Sequence, residues 1–211
     1  MEEEEQEEGS NSQSVNTIIE IKERGAFIGI TLSNGSSFFI FPEDFTQLNL
    51  MRDKVLSAEL IKKIEFLNNI SITYKRAINI LSFAPTTQFL LKQKLLKKGF
   101  DNISITKTIE RLSEKKLIDD RKFAANWVSL RLSKNPESTF ILKSNLIKKG
   151  VDREIAEDVL KDLTPDSAIY LEGFEKALLK QQKKTSRSIE KIKMSLLRKG
   201  YPISLINKYV N

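Results

Sequence analysis

The sequence contains no cysteine and no histidine. Without cysteine there are no disulfides and no thiolate to act as nucleophile or metal ligand. Without histidine, the commonest general base and the commonest transition-metal ligand are both missing. Cys/His zinc sites and Ser-His or Cys-His nucleophile pairs are therefore excluded. The glycine-rich phosphate loops of nucleotide-binding proteins are absent as well. Carboxylate and lysine chemistry stay open, but the residues point to no catalytic set, no metal site and no cofactor. The expectation is a protein that is not an enzyme. No apolar run approaches the roughly 20 residues that span a bilayer. The first residues lack the basic region and apolar stretch of a signal peptide. A cytoplasmic protein with no membrane partner is expected.

Charge is plentiful but uneven. The 211 residues carry a net +7. Residues 1–16 hold six acids and no base, residues 17–74 are nearly neutral, and 75–165 carry 19 basic against 11 acidic residues. In 166–211 the balance is 10 to 4. A positive field of this kind favours polyanionic partners such as nucleic acid; solvated helix faces are the plain alternative. The acidic stretch has almost nothing to bury and is expected to be a disordered, solubilising tail. Competition for a polyanion site is its other reading.

The basic part repeats itself. Residues 95–100 read LLKKGF, 146–151 read LIKKGV and 196–201 read LLRKGY, at spacings of 51 and 50. The physical sense of the phrase is a helix stop. Gly99, Gly150 and Gly200 sit where the chain must swing into the left-handed region. The cations before them suit the negative end of the helix dipole. Phe100, Val151 and Tyr201 can fold back as the hydrophobic part of the cap. Each phrase has a hydroxyl upstream as a candidate N-cap: Thr87, then Ser138 or Thr139, then Thr185 or Ser186.

A leading helix precedes each of these (74–83, 121–133, 167–184) and a third follows (103–116, 152–163, 203–211). The fold expected is mainly α: three tandem three-helix repeats at 74–118, 119–164 and 165–211, stacked as an elongated array. A small region at 17–73 comes first. It has strands around Ile19 and Ile21, a turn at Gly25, a hairpin at Asn34-Gly35, a helix start at Pro42 and a short helix over 57–69.

One segment goes beyond periodicity. LIDDRKFAANWVSLR (117–131) lies between the first two phrases. The series Gly99-Phe100, Ile118-Asp119-Asp120, Phe123-Ala124, Trp127-Val128, Arg131 and Gly150 resembles the signature of the RecX family in order, spacing and residue type. The likeness covers 74–211 well and 17–73 loosely. Two places depart from the family pattern. Ala84-Pro85-Thr86-Thr87 and Leu90-Leu91 stand where two arginines, a serine cap and Glu-Leu are usual. The loop over 133–139 lacks the common glycine. The resemblance implies a modular helical regulator of the RecA recombinase, with roles in homologous recombination, DNA repair and the SOS response. Such a protein binds RecA and its filament on single-stranded DNA, generally restraining ATP hydrolysis and strand exchange. A monomer is expected.

Several residues have two readings. Asp119 and Asp120 are adjacent at a helix start and converge on no metal; Asp120 is the expected N-cap of the following helix. Phe123 and Trp127, four apart, are expected in the core of the second repeat, with base stacking by Trp127 as the alternative. Arg131 can pair with an acid, cover apolar surface, or reach a phosphate. Lys97, Lys98, Lys148, Lys149, Arg198 and Lys199 recur with the repeat and are candidate cationic points toward RecA or DNA. Arg121, Lys183, Lys184 and Arg187 extend that set, and residues 174–199 carry nine bases and two acids. Two rivals remain at this level: a helical DNA-binding protein acting through its basic face, and an array-type adaptor for an unrelated protein.

Overall fold

The computed structural model describes residues 16–183 and 188–210. The acidic stretch over 1–15 lies outside them, whereas Asn16 already belongs to a strand. Four strands come first: β1 (Asn16–Arg24), β2 (Phe27–Leu32), β3 (Ser37–Ile40) and the two-residue β4 (Val55–Leu56). A short helix α1 (Pro42–Gln47) stands between β3 and β4. The helices after β4 are α2 (Ala58–Phe83), α3 (Gln88–Leu96), α4 (Asn102–Glu114), α5 (Asp120–Lys134), α6 (Thr139–Lys148), α7 (Arg153–Leu160), α8 (Ala168–Gln182), α9 (Ile189–Arg198) and α10 (Ile203–Tyr209). Two compact units result. One runs to Arg76 and includes Asp101–Thr108; the other comprises Ala77–Phe100 and the chain from Ile109 onward.

In the first unit the sheet order is β3-β2-β1-β4, antiparallel throughout. Gly25 and Gly35 turn the chain with φ of +64 and +85, as the two turn signals require. Ile18, Ile30, Leu32, Ile40 and Leu56 form the buried face and pack with Ile64 of α2. The side-chain oxygen of Asn68 accepts the Phe39 amide at 2.8 Å, so α2 satisfies an N–H on the edge strand.

The helix over 57–69 and the leading helix at 74–83 are one continuous helix, α2. The polar run Asn68, Asn69, Ser71, Thr73 reads as a break in sequence. In the structure, the Thr73 hydroxyl donates to the Asn69 carbonyl at 2.7 Å, a local bond that lets such a residue sit inside a helix. No glycine or proline interrupts residues 58–83, and the helix stops just before Ala84-Pro85.

In the second unit, all three phrases close a helix in the same manner. Gly99, Gly150 and Gly200 have φ of +85, +81 and +80. Their amides donate to Leu96, Ile147 and Leu197, and the next amides donate to Leu95, Leu146 and Leu196. This double return is the Schellman stop. The helix starts also match: Thr87, Ser138 and Ser188 accept the amides of Leu90, Ile141 and Lys191. Ser188 therefore replaces Thr185 or Ser186 as the third cap; those two lie outside the described residues. All three caps stand twelve residues before their glycine.

These starts and stops meet each other. The Thr87 hydroxyl donates to the Lys149 carbonyl at 2.5 Å. The Ser138 amide donates to the Lys199 carbonyl at 2.9 Å. The capped start of α3 thus sits on the end of α6, and the start of α6 on the end of α9. A Cβ at Gly150 would overlap the inner atoms of the Phe89 side chain, and one at Gly200 would overlap Ser138 and Ile141. A Cβ at Gly99 would meet nothing within 4 Å.

The two aspartates exchange the expected roles. Asp119 is the N-cap of α5, accepting the Lys122 amide at 2.9 Å. Asp120 occupies the first helical position and accepts the Gln88 amide at 2.9 Å, so it serves the start of α3 instead. Burial pushes the Asp120 carboxyl above its ordinary value; the Gln88 amide opposes this and the charge on Asp119 adds to it. At the start of α4, hydrogen bonds from Ser104 hold Asp101 below its ordinary value.

Replacing Gly150 or Gly200 with alanine should cost more than the roughly 1–2 kcal/mol of a left-handed residue bearing a Cβ, because overlap adds to it. Gly99→Ala should cost only the conformational part, and urea unfolding of the three variants should rank it mildest. For Asp101, the stabilising contribution is full above the unfolded pKa and is lost as pH falls through the lower folded one. For Asp120 the folded state favours the proton, so the charge costs stability at neutral pH and the cost fades on acidification. Asp120→Asn keeps an acceptor for Gln88, so it should melt higher than the parent chain at neutral pH. That advantage should vanish in acid, as followed by thermal unfolding across pH.

Candidate functional site

The cations of the repeated phrase occupy the last turn of α3, α6 and α9, where the helix stop fixes their backbone. They do not remain equivalent. Lys97, Lys148 and Arg198 are exposed and have no carboxylate partner among the described residues. Lys98 is exposed too. Lys149 is half-buried, with its ammonium 5.5 Å from the centre of the Trp127 ring. Lys199 is half-buried, donating to the Asn135 side chain at 2.7 Å and the Pro136 carbonyl at 3.0 Å. The first cation of each pair is thus presented to solvent. The second is drawn into the fold at both places where a preceding repeat sits on it.

Arg131 resolves toward the fold. Its guanidinium pairs with Glu137 at 3.1 Å and lies 5.5 Å from the Trp127 ring centre. Trp127 is flanked by two cations, each close enough for a favourable ring contact. Phe123 and Trp127 border the core of the second unit; the fully enclosed positions on their helix are Ala124 and Val128. The wider, more polar aromatic face is therefore half-open, because the flanking cations cover it in place of apolar side chains. Arg121 is ion-paired with Asp158. Lys183 is exposed just past α8, whereas Lys184 and Arg187 lie outside the described residues.

Glu137 and Asn135 were not singled out by sequence reasoning, yet they fix Arg131 and Lys199. Their signal was the polar loop Asn135-Pro136-Glu137 immediately before a capping serine. Glu137 also bears on Tyr201, whose hydroxyl is pushed well above its ordinary value by burial first, then by Tyr170 and Glu137. Glu157, between Lys143 at 2.5 Å and Arg153 at 3.0 Å, is held below the usual carboxylate range by those hydrogen bonds.

A groove of about 740 Å³ lies where α3, α5 and α7 begin. Phe89, Ile118 and Ile155 line it, with Asp119, Asp120 and Asp152 at its rim. Each of these acids accepts a helix-start amide, from Lys122, Gln88 and Glu154 respectively. Their oxygens serve structure, and among the described residues no group of three acids is placed to hold a metal. A second groove, about 450 Å³, has a more apolar lining that includes Phe140, Leu163 and Tyr170.

A family model described as RecX, first three-helix domain, matches residues 74–112. The regulatory protein RecX of Streptococcus mutans is 26% identical over 186 residues, covering 87% of this chain and 72% of its own. That of Leuconostoc mesenteroides is 27% identical over 194 residues, covering 90% and 72%. A crystal structure of regulatory protein RecX superposes with a TM-score of 0.74 at 22% identity, covering 93% of this chain and 98% of that one, which speaks to the fold. The RecX structure from Lactobacillus salivarius gives 0.54 at 28% identity, covering 67% and 96%. With its three-helix repeats, its three matching helix stops and these relatives, the chain is similar to the proteins of the RecX family.

Proposed function

We propose that this protein is a non-enzymatic regulator that binds RecA and RecA filaments on single-stranded DNA. It restrains recombinase ATP hydrolysis and strand exchange in the cytoplasm. The observation that carries the reading is the recurrence of one exposed cation, without a carboxylate partner among the described residues, at the same place in three successive repeats: Lys97, Lys148 and Arg198. A filament is itself a repeat, so several weak contacts on one chain act together through effective concentration. The repeats at 74–118, 119–164 and 165–211 each supply one such point. The protein works as a monomer that touches RecA carboxylates or DNA phosphates, with Lys98 and Lys183 beside the principal contacts. Lys184 and Arg187 belong to the same basic segment.

A second reading is favoured by one feature, the nine bases against two acids over 174–199. On that reading the protein binds DNA directly and RecA is a bystander. Bare-DNA affinity would then fall steeply with salt, about 0.7 in log affinity per log salt for each phosphate neutralised on a single strand.

RecA ATP hydrolysis on excess single-stranded DNA separates the two. A rate change at amounts of protein well below RecA, insensitive to further DNA, is expected; a change that extra DNA abolishes would sink the RecA reading. The triple variant Lys97→Ala, Lys148→Ala, Arg198→Ala should stay fully folded and lose filament affinity on the order of tenfold or more. Full retention of binding by that variant would dismiss these residues. Lys199→Ala should instead lower stability by about 1 kcal/mol through its lost hydrogen bonds, read by thermal unfolding.

A further inference from the structure

Helix α4 closes with the same double return as α3, α6 and α9. The Lys116 amide donates to the Ser113 carbonyl and the Leu117 amide to the Leu112 carbonyl, both at 2.9 Å. At the other three ends the left-handed residue is glycine. Here it is Lys116, with φ of +53. A side chain is disfavoured in that conformation, and glycine would make the same two hydrogen bonds without the strain. Strain kept in this way points to a use for the side chain.

Lys116 stands at a groove of about 220 Å³ where the ends of α2 and α4 meet the start of α5. Leu81, Pro85, Leu117, Ile118 and Phe123 give it apolar walls. Leu117 is 48% exposed, and Phe83, two residues beyond Leu81, is 89% exposed. Lys116 and Lys122, both lining the groove, are exposed and have no carboxylate partner among the described residues. Asp119, the one acid in the lining, accepts the Lys122 amide at 2.9 Å and so serves the start of α5. Exposed apolar surface rimmed by polar groups marks an interaction site.

The groove is smaller than the roughly 300–1,000 Å³ of small-molecule sites, which suits one anchoring side chain better than a whole ligand. Its two free cations call for carboxylates or phosphates. The walls are mostly aliphatic, whereas bases of single-stranded nucleic acid stack on open aromatic faces. We propose that this groove docks an acidic segment of a partner protein. One apolar side chain of the segment enters between Leu81, Leu117 and Phe123, and carboxylates flanking it in the peptide meet Lys116 and Lys122. The exposed Asn126 amide, on the same lining, offers a donor and an acceptor to the peptide backbone. None of Lys97, Lys148 and Arg198 lines the groove, so the inference does not rest on the recombinase reading.

The probe is the synthetic peptide acetyl-EELEE-amide, titrated into the isotope-labelled full-length chain and followed by amide NMR shifts. The shifts should centre on Leu117, Lys122 and Asn126, and binding should be roughly fivefold or more tighter than that of acetyl-EEGEE-amide. Lys116→Gly should unfold at higher urea than the parent chain and yet bind the leucine peptide several-fold more weakly. Lys116→Arg keeps both charge and strain, so it should bind as the parent does without the gain in stability. Absence of binding, shifts away from the groove, equal binding of the glycine peptide, or undiminished binding by Lys116→Gly would each overturn the proposal. An oligothymidylate that produces the same groove shifts at lower concentration than the peptide would overturn it in favour of nucleic acid.

Discussion

Much of the second unit depends on a helix being able to start directly on the end of another. That requires a backbone carbonyl facing outward and a residue beside it without a Cβ. The Schellman stop supplies the first by turning the chain away after Lys149 and Lys199. Glycine supplies the second at positions 150 and 200. One residue type thus meets a local need, positive φ, and a nonlocal one, room for a neighbour. At each contact a positive helix start meets a negative helix end, the favourable sense.

The same contact explains how the paired cations come to differ. A lysine in the last turn of an isolated helix would extend into water. Where another repeat is seated, the second cation of the pair is enclosed by the loop or the aromatic ring beside that contact. Lys199 reaches Asn135 and Pro136, and Lys149 reaches Trp127. At the first repeat, where no helix start is seated among the described residues, both Lys97 and Lys98 face solvent. The gradient of exposure along the series follows from position in the series and from no difference in the pairs themselves.

This marks how much could be read in advance. The three stops, the strands on either side of Asn34-Gly35 and the three groups of helices were legible because each rests on local chemistry at fixed spacing. The division between Lys148 and Lys149 was not, because it depends on Trp127 and on a start 62 residues away. The exchange between Asp119 and Asp120 was hidden for a similar reason: Asp120 answers an amide 32 residues earlier, a need that its own helix does not express. The continuity of α2 was obscured by the low helix propensity of its asparagines and threonine, offset by the bond from Thr73 to Asn69. The third cap could have been placed by counting twelve residues back from Gly200, a regularity visible in the other two copies.

The setting of Trp127 has an optical consequence. It is the chain's one tryptophan, and its indole lies beside Arg131 and Lys149. The carbonyl of that same Lys149 holds the start of α3 through Thr87. The emission of an indole shifts with nearby charge and with access of water. Its fluorescence is therefore a native gauge of whether the first junction is closed, needing no label.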